Sequence, residues 1–118
     1  MADEELWQVK FAAGGLEDLV DIIQYLLEND GVESAKELST LIRTDARKRL
    51  TRLPYRGHLV PELEHISRER REIHIKSYRI IYQPHEAERT VWILLIVHAR
   101  GSIQDLLRKR LLHYPAKL

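Results

Sequence analysis

Residues 71–100 read REIHIKSYRIIYQPHEAERTVWILLIVHAR, and no other part of the chain constrains its structure as strongly. The first half of this stretch alternates apolar and polar side chains with a period of two, which predicts two half-buried strands. Pro84–Arg89 has the composition of a hairpin connection. From Val91 to Val97 the chain is apolar on both faces, which is typical of a strand in the interior of a sheet.

Basic side chains recur in this framework, although the core of a sheet does not require them. The period of two places Lys76 and Arg79 on polar faces, and it places His98 and Arg100 together on one face of the apolar strand. We expect the apolar strand to bring His98 and Arg100 near Arg79 and Lys76. These four side chains would then form a concave basic patch suited to phosphate or carboxylate groups.

The chain before residue 71 predicts a strand and two helices. Leu6–Phe11 alternates and suits a half-buried first strand, after which Gly14 and Gly15 break the chain. The first helix carries its apolar residues at spacings of three and four, and Asn29–Gly31 ends it. The apolar positions of this helix are Leu16, Leu19, Val20, Ile23, Leu26 and Leu27.

A second helix follows after a short turn. Ser34 and Glu37 have the spacing of a capping box, and Pro54 ends the helix. Beyond the strands, Ser102 and Asp105 have the spacing of a cap for a last helix. The predicted order is β, α, α, β, β, β, α, an α+β fold in which a helical hairpin covers one face of a small, mostly antiparallel sheet. We expect the opposite face to hold polar side chains.

Composition limits the class of protein. The 118 residues are 44% hydrophobic, which suits a single domain spanning residues 1–118. The chain has no cysteine, so it can form neither a disulfide nor a thiolate metal site. Its longest apolar run, Val91–Val97, is far shorter than the roughly 20 residues of a membrane span, and Met1–Leu6 is acidic. We therefore expect a cytoplasmic protein with no membrane partner.

The net charge of +1 conceals an asymmetry along the chain. Residues 1–30 hold eight acidic side chains against one lysine, a balance of −7, so the remainder carries +8. The densest basic stretch, interrupted only by Asp45, is either a solvated helix face or a surface for a polyanion. Its members are Arg43, Arg47, Lys48, Arg49, Arg52 and Arg56.

The histidines carry no signature of a metal site. His74, His98 and His113 lack the i, i+4 or close spacing of zinc ligands, and no cysteine is available to join them. We therefore expect neither a metal nor another cofactor.

Several short motifs together carry a family resemblance. VPEL (residues 60–63) precedes the sheet, REI and SYRIIY lie in the two alternating strands, and the apolar strand ends in HAR. Following an N-terminal strand and a helical hairpin, this order resembles the RelE/ParE superfamily of toxins from bacterial type II toxin-antitoxin modules. The resemblance extends from Trp7 to Leu112.

The resemblance implies a plasmid-stabilisation toxin that a cognate antitoxin neutralises. It implies that the antitoxin covers an apolar surface around the helical hairpin and the first strand, and that the complex of the two contacts operator DNA. The superfamily contains two activities: RelE-like members cut messenger RNA in the ribosome, whereas ParE-like members inhibit DNA gyrase.

The residues depart from the RNA-cutting pattern at several positions. Arg79 and Arg100 match its two arginines, but Glu72 and His74 stand where lysines are typical, and Leu106 stands where a tyrosine is. The ending HAR is more like ParE-type members. The resemblance therefore favours a ParE-like gyrase inhibitor, with a RelE-like mRNA interferase as the alternative.

If the protein is an interferase, it is a metal-independent endoribonuclease that relies on a base, an acid and cations. The candidate catalytic residues are then Arg79, Arg100, His98 and Glu64. Another interferase pattern would use Glu62 or Glu64 with Arg79, His113 and Tyr114. The candidate anion- or partner-binding residues are Lys76, Arg79, Arg100, Arg47 and Arg49.

Two alternatives stay open, one for the role of Arg79 and one for the function of the whole protein. Arg79 has a structural alternative, because buried arginines are usually paired and Glu72 or Glu64 could pair with it across the sheet. The alternative function of the whole protein is that of a non-toxic partner in a DNA-bound corepressor. Arg43–Arg56 would then be the segment that contacts DNA.

Overall fold

The computed structural model describes residues 6–113, and for Lys109 and residues 111–113 it describes the backbone alone. Two short 3₁₀ turns, Pro61–Leu63 and Glu86–Glu88, interrupt the connections. The strands are β1 (Gln8–Phe11), β2 (His58–Leu59), β3 (Arg71–Ile75), β4 (Tyr78–His85) and β5 (Thr90–His98), and the helices are α1 (Ala13–Asn29), α2 (Val32–Leu50) and α3 (Ile103–His113). The predicted α+β class and its element order are confirmed, with β2 as an added short strand. No helix in the described part of the chain is long and apolar enough to cross a membrane.

The five strands form one sheet in the order β1-β5-β4-β3-β2. β1 runs parallel to β5, and the other neighbours are antiparallel. The apolar strand β5 lies inside the sheet, as predicted, because a strand apolar on both faces needs cover on both. The middle position belongs to β4.

The first face of the sheet packs against α1 and α2. Ile73 and Ile75 of β3 and Ile80 and Tyr82 of β4 join this core with the inward residues of both helices, as the period of two predicted. The Tyr82 hydroxyl, fully buried, accepts a hydrogen bond from the Gly57 backbone N–H at 2.9 Å. The helical hairpin therefore covers the expected face.

The second face, opposite α1 and α2, is not the polar surface that we expected. β5 contains a bulge. Ile81 of β4 pairs with Leu95, but the next residue of β4 pairs with Ile93, so Leu94 is an extra residue in β5. The extra residue turns Leu95 and Val97 toward the second face, where α3 covers them. This second core consists of Val60, Leu63, Ile81, Leu95, Val97 and Ile103, with Leu94, Leu106 and Leu107 packed against it. Polar side chains occupy the part of this face along β2 and β3, together with Arg79 of β4.

The prediction that Gly14 and Gly15 break the chain is wrong, because both lie in the first turn of α1. A Cβ atom on Gly15 would clash with the Ile93 carbonyl oxygen, and one on Gly14 would clash with the Arg110 guanidinium. The two glycines therefore let α1 approach β5 and α3 closely.

The predicted capping box of α2 is also wrong. The helix begins at Val32, two residues before Ser34, and its N-cap is Gly31 with a φ of 98° that favours glycine. At the start of α3 the prediction is confirmed, since the Asp105 backbone N–H donates to the Ser102 hydroxyl at 3.1 Å.

Candidate functional site

The strongest polar arrangement on the second face surrounds Arg79. Its guanidinium donates to both oxygens of Glu72, at 2.6 and 3.0 Å, and to both oxygens of Glu62, at 2.8 and 2.7 Å. Arg79 and Glu72 are buried, with 9% and 2% of their surface exposed. One positive charge is therefore enclosed by two carboxylates in two bidentate pairs.

The structural alternative for Arg79 is confirmed for Glu72, while its second partner is Glu62 rather than Glu64. The 3₁₀ turn Pro61–Leu63 aims Glu62 at the sheet. Glu64, a candidate base, instead pairs with exposed Arg68 at 3.6 Å. The sequence alone does not show which of the two glutamates pairs with Arg79, because the choice depends on the geometry of this turn.

The charges of the cluster hold its carboxyl groups ionised. The Arg79 hydrogen bonds lower the pKa of Glu62 to about 2. Burial raises the pKa of Glu72, but hydrogen bonding and charge attraction from Arg79 outweigh burial, and the net pKa is lowered. The hydrogen bonds that Arg79 donates to Glu62 and Glu72 raise the pKa of Arg79 in turn. At neutral pH the three groups carry a net charge of −1, which disfavours a bound phosphate.

Two histidines complete this cluster. His58 lies opposite Glu72 in the pairing of β2 with β3, and its Nε2 is 3.0 Å from the Glu72 carboxylate. The Nε2 of His74 lies 3.4 Å from the same carboxylate, and the two imidazole rings are 5.8 Å apart between centroids. We call His58, Glu62, Glu72, His74 and Arg79 the Glu72 cluster. Sequence reasoning missed His58 because β2 is too short to give a periodic signal.

The predicted concave basic patch does not form. His98 pairs with Tyr78 in the sheet and contacts that ring edge to face at 5.4 Å, so it lies on the first face, away from Arg79. Lys76 is exposed in the turn between β3 and β4, and Arg100 is exposed in the turn after β5. The expectation failed because β5 ends at His98, so the alternation does not continue to Arg100.

The remaining candidates lie elsewhere. Arg47 is exposed on α2, whereas Arg49 donates to Asp45 at 2.8 Å and to the backbone oxygen of His74 at 3.0 Å. The side chain of His113 and all of Tyr114 lie outside the described residues. The interferase set that uses them, like DNA contact through the basic stretch, stays a prediction.

A buried ion pair on the other side of the second core was not visible in the sequence. Arg110 of α3 donates to the Asp18 carboxylate of α1 at 2.5 Å, and that carboxylate also accepts the Ile96 backbone N–H at 3.0 Å. The partners are separated by 92 residues, so no local pattern links them. A cavity of about 590 Å³ opens beside the pair, lined in part by Leu63, Leu94, Leu95, Leu107 and Arg70.

An apolar stripe remains on the outer surface of α1. Leu16, Val20 and Leu27 have between 43% and 47% of their surface exposed, and Ile23 is half-buried between them. A groove of about 380 Å³ runs beside the stripe between α1 and α2, with Val32 on its wall. Apolar rows of this kind on a small protein mark surfaces for a protein partner.

Comparisons with known proteins agree with this architecture. The chain is similar to the RelBE2 toxin-antitoxin complex from Mycobacterium tuberculosis, with 21% identity and a TM-score of 0.59 over 79% of this chain and 91% of that chain. It is also similar to the chromosomal ParDE system from P. aeruginosa, with 17% identity and a TM-score of 0.63 over 80% of this chain and 97% of that chain. At identities this low, the structural likeness shows a shared fold alone. A search of curated proteins gives no match.

The sequence itself matches a family model. The model is that of the ParE toxin of the type II toxin-antitoxin system parDE, and the match covers residues 9–103. It includes all of β1 but its first residue, the helical hairpin, all other strands and the first residue of α3. The resemblance to RelE/ParE toxins is thereby confirmed, and the chain belongs to the ParE toxin family of type II toxin-antitoxin systems.

Proposed function

We propose that this ParE-family toxin inhibits DNA gyrase and that a cognate antitoxin neutralises it by covering α1. One observation carries the choice of gyrase over messenger RNA. Arg79, the buried arginine that an RNA-cutting relative would direct at phosphate, is bound by both Glu62 and Glu72.

Metal-free cleavage of RNA needs cations that are free to stabilise negative charge as it develops on the phosphate. Arg79 can stabilise a phosphate only if its guanidinium first breaks its ion pairs with Glu62 and with buried Glu72. Separating a buried ion pair costs about 3–5 kcal/mol, which is comparable to what one stabilising donor contributes to catalysis. The Glu72 cluster therefore suits a structural role, and toxicity then belongs to a binding surface.

Expression of the protein in bacteria without its antitoxin should arrest growth through DNA damage. We expect chromosome breaks and induction of the DNA-damage response while incorporation of labelled methionine continues, because translation is not the primary target. Pulse labelling of DNA and protein in the same culture measures the order of events. An immediate fall in protein synthesis, with codon-positioned cuts in messages, would instead show the interferase activity.

The neutralising surface is proposed from the stripe on α1. Leu16, Val20, Ile23 and Leu27 recur at helical spacings of three and four, so they present one continuous row to an amphipathic segment of the antitoxin. The groove beside the row would receive larger side chains of that segment.

Val20→Glu should weaken antitoxin binding by roughly tenfold or more, because it puts a charge into an apolar contact. The protein encoded by the adjacent reading frame is the antitoxin to use, and isothermal titration calorimetry gives the affinity. Gln104→Glu adds the same charge at an exposed position of α3 and serves as the matched control. Equal affinities for both variants and the wild type would place the antitoxin on another surface.

A further inference from the structure

We propose that His58, Glu72 and His74 bind one divalent metal ion, either zinc or an ion with similar ligand preferences. The three side chains offer one ligand atom each, two imidazole nitrogens and one carboxylate oxygen, and these atoms all lie within 4.8 Å of one another. They project from neighbouring strands on the second face, with His58 directly opposite Glu72 and His74 two residues along β3.

The geometry needs little adjustment to accept an ion. Ligand atoms on one tetrahedral zinc lie about 3.3 Å apart, given zinc-ligand bonds of about 2.0–2.1 Å. Both histidine side chains are more than half exposed, at 63% and 54%, so they can rotate by the difference without disturbing the core. The same exposure leaves the fourth position of a tetrahedral site open to water.

The ligand set selects the class of ion. Two imidazoles with one carboxylate suit zinc, nickel or copper, whereas magnesium and calcium prefer sites made of oxygen atoms alone. The two carboxylates of Glu62 and Glu72 offset the repulsion between Arg79 and the ion, because the three groups together carry a net charge of −1. A divalent ion would therefore enter a negatively charged cluster.

The surroundings of Glu72 hold the carboxylate in place for an ion. Arg79 donates to both of its oxygens, so the side chain has one fixed orientation in a buried position. Outer partners of this kind orient a metal ligand and raise the affinity of a site. The ion would join the two-residue edge strand β2 to β3, and the predicted consequence of binding is a higher Tm.

Zinc titration of the 118-residue chain, with the binding measured by isothermal titration calorimetry, tests the site. We expect one zinc per chain, and each of His58→Ala and His74→Ala should weaken binding roughly tenfold or more, since loss of an outer partner alone costs that much. His65→Ala and His85→Ala remove exposed histidines outside the cluster and should leave the affinity unchanged. Circular dichroism of each variant checks that it is folded.

X-ray absorption of the zinc-loaded protein provides an independent readout. We expect the spectrum to show scattering from two imidazole ligands and from oxygen ligands. The proposal is overturned if the wild type binds no zinc, or if the double variant His58→Ala/His74→Ala binds it as tightly as the wild type. A spectrum without imidazole scattering would overturn it equally.

Discussion

Arg79→Met is expected to lower the free energy of unfolding by about 3–5 kcal/mol at neutral pH. Methionine has a similar length but leaves the Glu72 carboxylate, 2% exposed, without its counter-charge. Urea unfolding of the two proteins measures the difference. Arg68→Met is the control, because Arg68 and its partner Glu64 are both exposed, and it should change stability by no more than about 0.5 kcal/mol.

The difference between Arg79→Met and the wild type should shrink as the pH falls. In the wild type, the pKa of Glu62 is depressed to about 2, so its contribution is present above the ordinary pKa of 4.5 and is lost as pH falls toward 2. In the variant, Arg79 no longer opposes the burial that raises the pKa of Glu72, so protonation relieves the unpaired charge. Equal stability of variant and wild type at neutral pH would show that Arg79 is not held by its carboxylates.

Arg110→Met should have an effect of similar size, about 3–5 kcal/mol, because it leaves Asp18 as an unpaired buried carboxylate. Arg110 also donates to the Gly14 backbone oxygen at 3.2 Å, so its loss loosens the junction of α1, β5 and α3. Arg108→Met on the same helix is a close control, since Arg108 and its partner Asp105 are both 72% exposed. Thermal and urea unfolding of the two variants should separate them clearly.

The pH dependence at Asp18 has the opposite sign to that at Glu62. Burial raises the pKa of Asp18 from 3.8 to about 6, although the Ile96 N–H and Arg110 lower it. A carboxyl whose pKa is higher in the folded protein loses stabilising effect as pH rises from about 4 through 6. Without Arg110 the pKa rises further, so the destabilisation of Arg110→Met should ease on acidification. A pH-independent difference would contradict this assignment.

The sequence predicted what depends on local periodicity. Ile73 and Ile75 face the helices because strand side chains alternate, and Ser102 caps α3 because its hydroxyl reaches a nearby N–H. The second core was missed because a single extra residue, Leu94, reverses the alternation of β5, and nothing in an all-apolar run marks its position.

The candidate site was predictable only in part, for the same physical reason. Arg79 and Glu72 share a face by alternation, so their pairing could be stated as an alternative. Glu62 and His58 reach the cluster through a 3₁₀ turn and a two-residue strand, neither of which has a periodic signature. Contacts of this kind depend on the path of the chain, so they become visible only in the three-dimensional structure.

The proposed target of this toxin is gyrase and not messenger RNA. Supercoiling of relaxed plasmid by purified gyrase, with increasing amounts of the protein, tests that claim most directly. We predict that supercoiling falls, that protein-linked double-strand breaks accumulate, and that prior incubation with the antitoxin prevents both. Unimpaired gyrase, together with cuts in ribosome-bound message by the same preparation, would contradict the account.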